Sequence, residues 1–290
     1  MEDPVVAWCP GHISGYFKPV YGKDCKKTGS LGAGFVINEG VIAEVRTAVS
    51  TEVQVLRVNE DHRVIERAGR SPPIEYLADR LGVRAAITTR CRLPIAAGFG
   101  LSAAALLATA TALNRLFSLG KSSQECAFIA HESEIMHHTG LGDVAACQGG
   151  GRDCRLGPGI SAEIIRHYDV VEPVVAVTFG PLPSPHVLGS QQVMEHIAGI
   201  YPNRCPHDPP DLFRLSREFA EKSGLITPEV REALGRCDLE GVPASMTMIG
   251  NGVFGYGQKA VDVLGPLGEI FLLGTSNEGV RIVSEGSECR

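Results

Sequence analysis

The sequence predicts an α+β protein of two domains, with a boundary near residue 170. Three observations carry that expectation. Short β-branched runs fill the first sixty residues, an apolar helix occupies residues 102–117, and the texture turns to polar helices after a strand at 174–177. At 290 residues, with 44% hydrophobic and 21% charged side chains, the composition is that of a globular protein. A chain of this length buries roughly three quarters of its unfolded surface, so its core needs no metal or disulfide.

Val5–Trp8, Gly34–Ile37, Val41–Val45 and Val53–Val58 read as strands with turn residues between them. The run SAAALLATATALNRLF, Ser102–Phe117, is apolar all round and reads as a buried helix with Ser102 as its N-cap. Gly120 ends it, and Ser122 or Ser123 opens a second helix running to about His138. Gly140, Gly142, Gly149, Gly150 and Gly151 then make a glycine-rich segment of the kind that carries groups to a site. After the strand at Val174–Val177, helices are expected near 190–200, 209–222 and 228–237, with a closing helix around 255–264 and a strand at Glu269–Leu273.

Composition excludes several classes. The formal charge is −6 and there is no basic tract, which argues against a nucleic-acid partner. The most apolar stretch, Leu101–Leu113, is too short to span a membrane, and the acids Glu2 and Asp3 with no basic leader argue against a signal peptide. The nine cysteines are odd in number, scattered and free of any C-x-x-C pair, so they read as thiols of a reducing cytoplasm.

The sharpest chemical signal is PIAAGFGLSAA, Pro94–Ala104, a glycine turn running into a helix whose first turn holds small side chains. Such a turn lets a phosphate reach backbone N–H groups at the positive end of the helix. Gly98-x-Gly100-x-x-Ala103 formally fits a dinucleotide fingerprint, which keeps an NAD-dependent oxidoreductase as a rival, but strands precede it for nearly a hundred residues instead of one opening βαβ unit. Gly120-Lys121-Ser122 fails as a P-loop because Arg115 stands where the motif needs glycine. A zinc reading of His131, His137 and His138 fails in the same way, with Ile135 where H-E-x-x-H requires histidine. Phe99, Phe117 and Phe128 read as core, and no segment identifies an adenine pocket.

The turn resembles the phosphate loop P-x-x-x-G-L-G-S-S-A-A of the GHMP kinase superfamily, which includes galactokinase, homoserine kinase and mevalonate kinase. Phe99 replaces the leucine and Leu101 the first serine. PGHISG (Pro10–Gly15) and MIGNGVFG (Met248–Gly255) supply the early and late landmarks in the expected order. The resemblance implies the two-domain GHMP kinase fold, with an N-terminal ribosomal S5 domain 2-like unit at 1–170 that binds ATP and a ferredoxin-like unit at 171–290. Within the superfamily, TGSLGAGF, AHESEI, TGLGDVAA and GGGRDCR are similar to archaeal pantoate kinases, which make 4-phosphopantoate from pantoate and ATP on the way to coenzyme A.

That similarity assigns roles by position. Pro94, Gly98, Gly100, Leu101, Ser102, Ala103, Gly250 and Gly252 are expected at the nucleotide, with Ser102 and Glu134 on Mg2+ and Asp143 as the catalytic aspartate that orients and deprotonates the hydroxyl. Glu132 and Glu134 stand about 200° apart on a helix, so only one faces the site. Glu134 matches the pantoate kinase A-H-x-x-E pattern and is preferred. Pantoate carries one carboxylate, which calls for a guanidinium or ammonium group. Arg155 is preferred over Arg152 and Lys18, with His131 and Ser30 as further substrate contacts. The superfamily often forms dimers, so a homodimer is expected.

Overall fold

A computed structural model describes residues 3–182 and 184–283. Glu2 and Cys289, both read in the sequence, lie outside the described residues. The chain opens with four strands: β1 (Val5–Val20), β2 (Gly29–Thr47), β3 (Glu52–Val58) and β4 (Val64–Ala68). Then come α1 (Pro72–Leu81), β5 (Ala85–Cys91), α2 (Leu101–Leu116), α3 (Ser123–Met136), α4 (Asp143–Cys147), β6 (Arg152–Arg155) and β7 (Ile164–His167). The remainder holds β8 (Val174–Thr178), α5 (Ser184–Leu188), α6 (Gln191–Gly199), α7 (Pro209–Ser223), α8 (Pro228–Glu240), β9 (Ala244–Met246), β10 (Gly252–Tyr256), α9 (Lys259–Leu264), β11 (Ile270–Leu273) and β12 (Arg281–Val283).

The first sheet has the order β12-β1-β2-β5-β3-β4, with β6 on the far part of β2 and β7 beyond it. It is antiparallel apart from the β3–β5 pair. This excludes the doubly wound parallel sheet of an NAD-binding domain, because β5, which feeds the glycine turn, sits between an antiparallel and a parallel neighbour. The second sheet, β11-β8-β10-β9, is antiparallel throughout. Numbered within its own unit its order is 4-1-3-2, and with α7 and α8 after its first strand and α9 after its third it has the ferredoxin-like βαββαβ arrangement. The last strand, β12, returns to pair with β1 of the first sheet.

Helix α2 is the centre of the molecule, packed on β1, β2 and α3. Ten of its residues, from Leu101 to Leu113, are buried, as a helix apolar on every side demands. The polar helices α7 and α8 instead bury one stripe each, Leu212, Phe213, Leu215 and Phe219 in α7 and Val230, Ala233, Leu234 and Cys237 in α8. Two sequence expectations need correction here. The closing helix is confined to Lys259–Leu264, since Gly252–Tyr256 pairs with β8 and β9 as a strand. The cysteines are not all thiols: Cys154 of β6 is disulfide-bonded to Cys205. Spacing carries no trace of that pair, because the fold brings together residues 51 positions apart.

Candidate active site

The glycine turn and the glycine-rich loop after α3 face one another across a cleft of about 340 Å³. One wall is Pro94–Ser102 with Ala105 and Leu106; the other includes Thr139–Asp143, Ser14 and Ser30. Helix α2 starts one residue before the expected serine, at Leu101. Its N-cap is Gly100, left-handed at φ 63°, and no side chain caps the helix. The Ala104 N–H makes the first helical bond, to the Gly100 carbonyl, so the helix supplies no acceptor for the amides of Leu101, Ser102 and Ala103. Ser102 is therefore in the first turn with its hydroxyl free for other work. Only glycine suits position 100, because a Cβ there would lie 2.9 Å from the backbone nitrogen of His12.

The turn is gripped from the second unit. Leu182 N–H donates to the Ala96 carbonyl (2.8 Å), Thr247 Oγ1–H donates to the Ala97 carbonyl (3.1 Å), and the Phe99 ring meets Phe271 edge-on at 6.0 Å. A loop built to receive phosphate oxygens needs such rigidity, since its amides must already point at the ligand.

Across the cleft Asp143 opens α4, with its side chain a quarter exposed. It does not cap that helix. Its Oδ1 stands 2.7 Å from His12 Nδ1, and the other ring nitrogen, Nε2, stands 2.7 Å from Asp153 Oδ1. Arg155 Nη1 donates to the remaining oxygen of Asp153. His12, Asp153 and Arg155 are all buried. Burial alone would lower the His12 value, but Asp153 and Asp143 outweigh it and raise it to about 9. Burial would likewise raise Asp153, yet His12 and Arg155 hold it well below the usual carboxylate range.

Glu134 lies on α3 directly beneath Gly140, fully buried, and neither carboxylate oxygen has a hydrogen-bond partner among the described residues. His131 Nδ1 is the nearby base, 3.5 Å from Oε2. Burial and the charge of Asp143 push the Glu134 carboxyl up, with His131 opposing. An orphaned buried carboxylate costs several kcal/mol unless something neutralises it. A hard cation suits such an oxygen donor; Ser102 lines the cleft, whereas Glu134 lies beneath Gly140 and is not among the lining residues. Glu132, two residues earlier, points outward to Arg80 Nε at 2.7 Å.

The GHMP kinases N terminal domain matches residues 67–151. A pantoate kinase of Methanospirillum hungatei is 46% identical over 279 residues, 96% of either chain. The chain belongs to the pantoate kinase family of GHMP kinases. A second pantoate kinase, from Thermococcus kodakarensis, is 30% identical over 265 residues, 86% of each chain. A solved structure described as a phosphotransferase related to the CoA biosynthesis pathway shares 26% identity and a TM-score of 0.80, over 98% of this chain and 100% of that one.

Of the residues expected at a pantoate kinase site, Pro94, Gly98, Gly100, Leu101, Ser102, Ser30 and Asp143 line the cleft. Ala103 is buried in the first turn of α2. Gly250 and Gly252 do not line it. A Cβ on Gly250 would strike the Ala97 carbonyl, so Gly250 backs the glycine turn from behind, and Gly252 of β10 pairs with Thr178 of β8, while Met248 and Ile249 reach the cleft. His131 and Arg155 also stand one layer back: His131 Nε2 is 2.9 Å from the Thr28 carbonyl oxygen, and Arg155 is engaged by Asp153. Arg155 Nε, buried near Gly142, has no acceptor among the described residues. Arg152 is spent elsewhere, on Asp169 and the Pro206 carbonyl. Sequence reasoning missed His12 and Asp153 as site residues. Both lay inside the segments quoted, PGHISG and GGGRDCR, but neither has a spacing that announces a partner more than a hundred residues away.

Proposed function

We propose that this chain transfers the γ-phosphate of ATP to the 4-hydroxyl of pantoate, giving 4-phosphopantoate and ADP in coenzyme A biosynthesis. The observation that carries the reading is the facing of an uncapped helix start and a partly exposed aspartate across one cleft, in a chain 46% identical to a pantoate kinase. The amides at the start of α2 receive the phosphates. The apolar end of the cleft, with Val41, Val55, Ile74, Cys91 and Leu106, receives the nucleobase.

Ser102 and Glu134 would hold Mg2+, which when bound neutralises charge on the transferring phosphoryl group. The pantoate hydroxyl lies at Asp143. Its oxygen bonds the γ-phosphorus as the bond to the β-bridging oxygen breaks, ADP leaves with that electron pair, and the hydroxyl proton passes to the free oxygen of Asp143. The substrate carboxylate sits toward Ser30 and Arg155. Support for that end is the unpartnered Nε of Arg155, a buried donor that an anion would satisfy.

The same proposal covers a domain division near residue 170, a homodimer, and a cytoplasmic setting for an enzyme whose thiols Cys9, Cys91, Cys126, Cys147 and Cys237 are buried and free. No helix among the described residues is long and apolar enough to cross a membrane. Incubating the protein with ATP, Mg2+ and a panel of pantoate, mevalonate, homoserine and galactose tests the central claim, with products identified by mass. Phosphopantoate is expected. Phosphorylation of another acceptor in its place would overturn the substrate assignment.

A further inference from the structure

The chain of contacts Asp143–His12–Asp153–Arg155 is more than the proposed reaction requires of Asp143 alone. Carboxylates only accept hydrogen bonds, whereas a neutral imidazole has a single N–H to give. A histidine that bonds a carboxylate at each ring nitrogen, 2.7 Å on either side, satisfies both only as an imidazolium. With His12 and Arg155 cationic and Asp143 and Asp153 anionic, the four charges cancel, which is what burial of three of these side chains demands.

The backbone is shaped around the same ring. A Cβ on Gly34 would lie 2.6 Å from His12 Nε2, so β2 can pass the imidazole only as glycine. The His12 N–H donates to the Phe99 carbonyl at 2.9 Å, tying this residue to the phosphate loop as well. The other groups facing it are the Ser14 hydroxyl, 3.5 Å from Nδ1, the Arg155 guanidinium, whose Nη1 is 3.4 Å from Nε2, and the thiol of Cys147 on α4.

We propose that His12, locked by Asp153, is the positioning residue for Asp143: it holds Oδ1 and leaves Oδ2 turned to the acceptor hydroxyl. Asp153 fixes the ring and keeps its charge, and Arg155 fixes Asp153. No other hydrogen bond to Asp143 is made by a described side chain, so without His12 the carboxylate is free to rotate away. This inference rests on the reading of Asp143 as the catalytic residue.

The test is a double-mutant cycle with steady-state kinetics. His12→Ala is expected to lower kcat about 100-fold, the scale of a lost acid–base contribution, with the KM for ATP little changed. In an Asp143→Asn background the same change should cost almost nothing more, because its effect runs through Asp143. His12→Lys should recover part of the rate, and Asp153→Asn should lower kcat less than His12→Ala while moving the pH profile. Additive losses in the double variant would overturn the positioning role. Near-normal turnover of Asp143→Asn alone would instead sink the catalytic assignment beneath it. Should the variants fold poorly, histidine 15N spectra of the unaltered protein at about pH 8, above the ordinary histidine value, decide the matter. Two protonated ring nitrogens on His12 are expected, and a neutral ring would overturn the proposal.

Discussion

Glu134 and Glu132 differ by two positions and by everything that matters for chemistry. Glu134 is sealed beneath Gly140 with both oxygens unpartnered, whereas Glu132 makes a surface ion pair with Arg80. Glu134→Gln is expected to raise the Mg2+ concentration for half-maximal activity about tenfold or more, because a neutral amide is a poorer ligand. It should also stabilise the metal-free fold by removing an uncompensated carboxylate. Glu132→Gln should leave the metal titration unchanged and cost at most about 1 kcal/mol, as exposed pairs do. Equal metal dependence of the two variants would refute the assignment. His12 makes a second prediction at this scale. Its value rises from 6.5 to about 9 on folding, so its contribution to stability is complete below pH 6.5 and is lost as pH climbs through about 9. The loss is about 3 kcal/mol at most, and Asp153 reports the same ion pair from the other side, so the two must not be added. Urea unfolding on either side of that window should show the decline, and His12→Gln should flatten it.

Helices α2 and α3 show what an element's sequence reveals and what it hides. Both runs begin near a serine, and the same rule expected a serine cap for each. For α3 the rule holds: the Ser122 hydroxyl accepts from the Glu125 N–H, and Glu125 reaches back to the Ser122 N–H at 2.8 Å. For α2 it fails, because Gly100 turns left-handed under His12 and opens the helix uncapped. Local propensity is overridden where the site needs bare amides, the kind of place where sequence rules are expected to break. Ser122→Ala should therefore cost about 1 kcal/mol of stability and leave kinetics untouched. Gly100→Ala should cost about 1–3 kcal/mol for its left-handed backbone and also weaken ATP binding, since its methyl group presses on the His12 backbone. A titration of ATP against both variants separates the two cases. Other elements were less legible. The strands at 5–8, 41–45 and 53–58 announced themselves by β-branched residues, but β6 reads Arg-Asp-Cys-Arg and is wholly buried. No pattern of apolar residues can flag such a strand, because its burial depends on His12, Asp169 and Cys205, partners scattered along the chain. The loop aspartate and the phosphate turn were legible because their glycines advertise close backbone approach.

At the scale of the whole molecule, β6 is where the two units meet around the site. Its alternate side chains point opposite ways: Asp153 and Arg155 toward His12, Arg152 and Cys154 toward the segment before α7. There Arg152 donates to the carbonyls of Pro206 (2.8 Å) and His207 (3.1 Å), and Cys154 is bonded to Cys205. The second unit thus braces, from behind, the strand that supplies the partners of His12. A cross-link closing a loop of this size restrains the unfolded chain, and removing one typically costs about 2–4 kcal/mol. Cys154→Ser with Cys205→Ser should lower the urea midpoint accordingly, and a dithiol reductant should do the same to the unaltered protein while leaving the double variant unmoved. The kinetic consequence is argued from the same geometry. Arg152 still anchors β6 when the disulfide is gone, so kcat under native conditions should fall by less than about threefold, and the loss should grow as denaturant approaches the midpoint. An unchanged midpoint on reduction would mean that these two cysteines are not cross-linked in solution. A collapse of kcat with the midpoint intact would mean that the brace acts on the His12 chain directly rather than through stability.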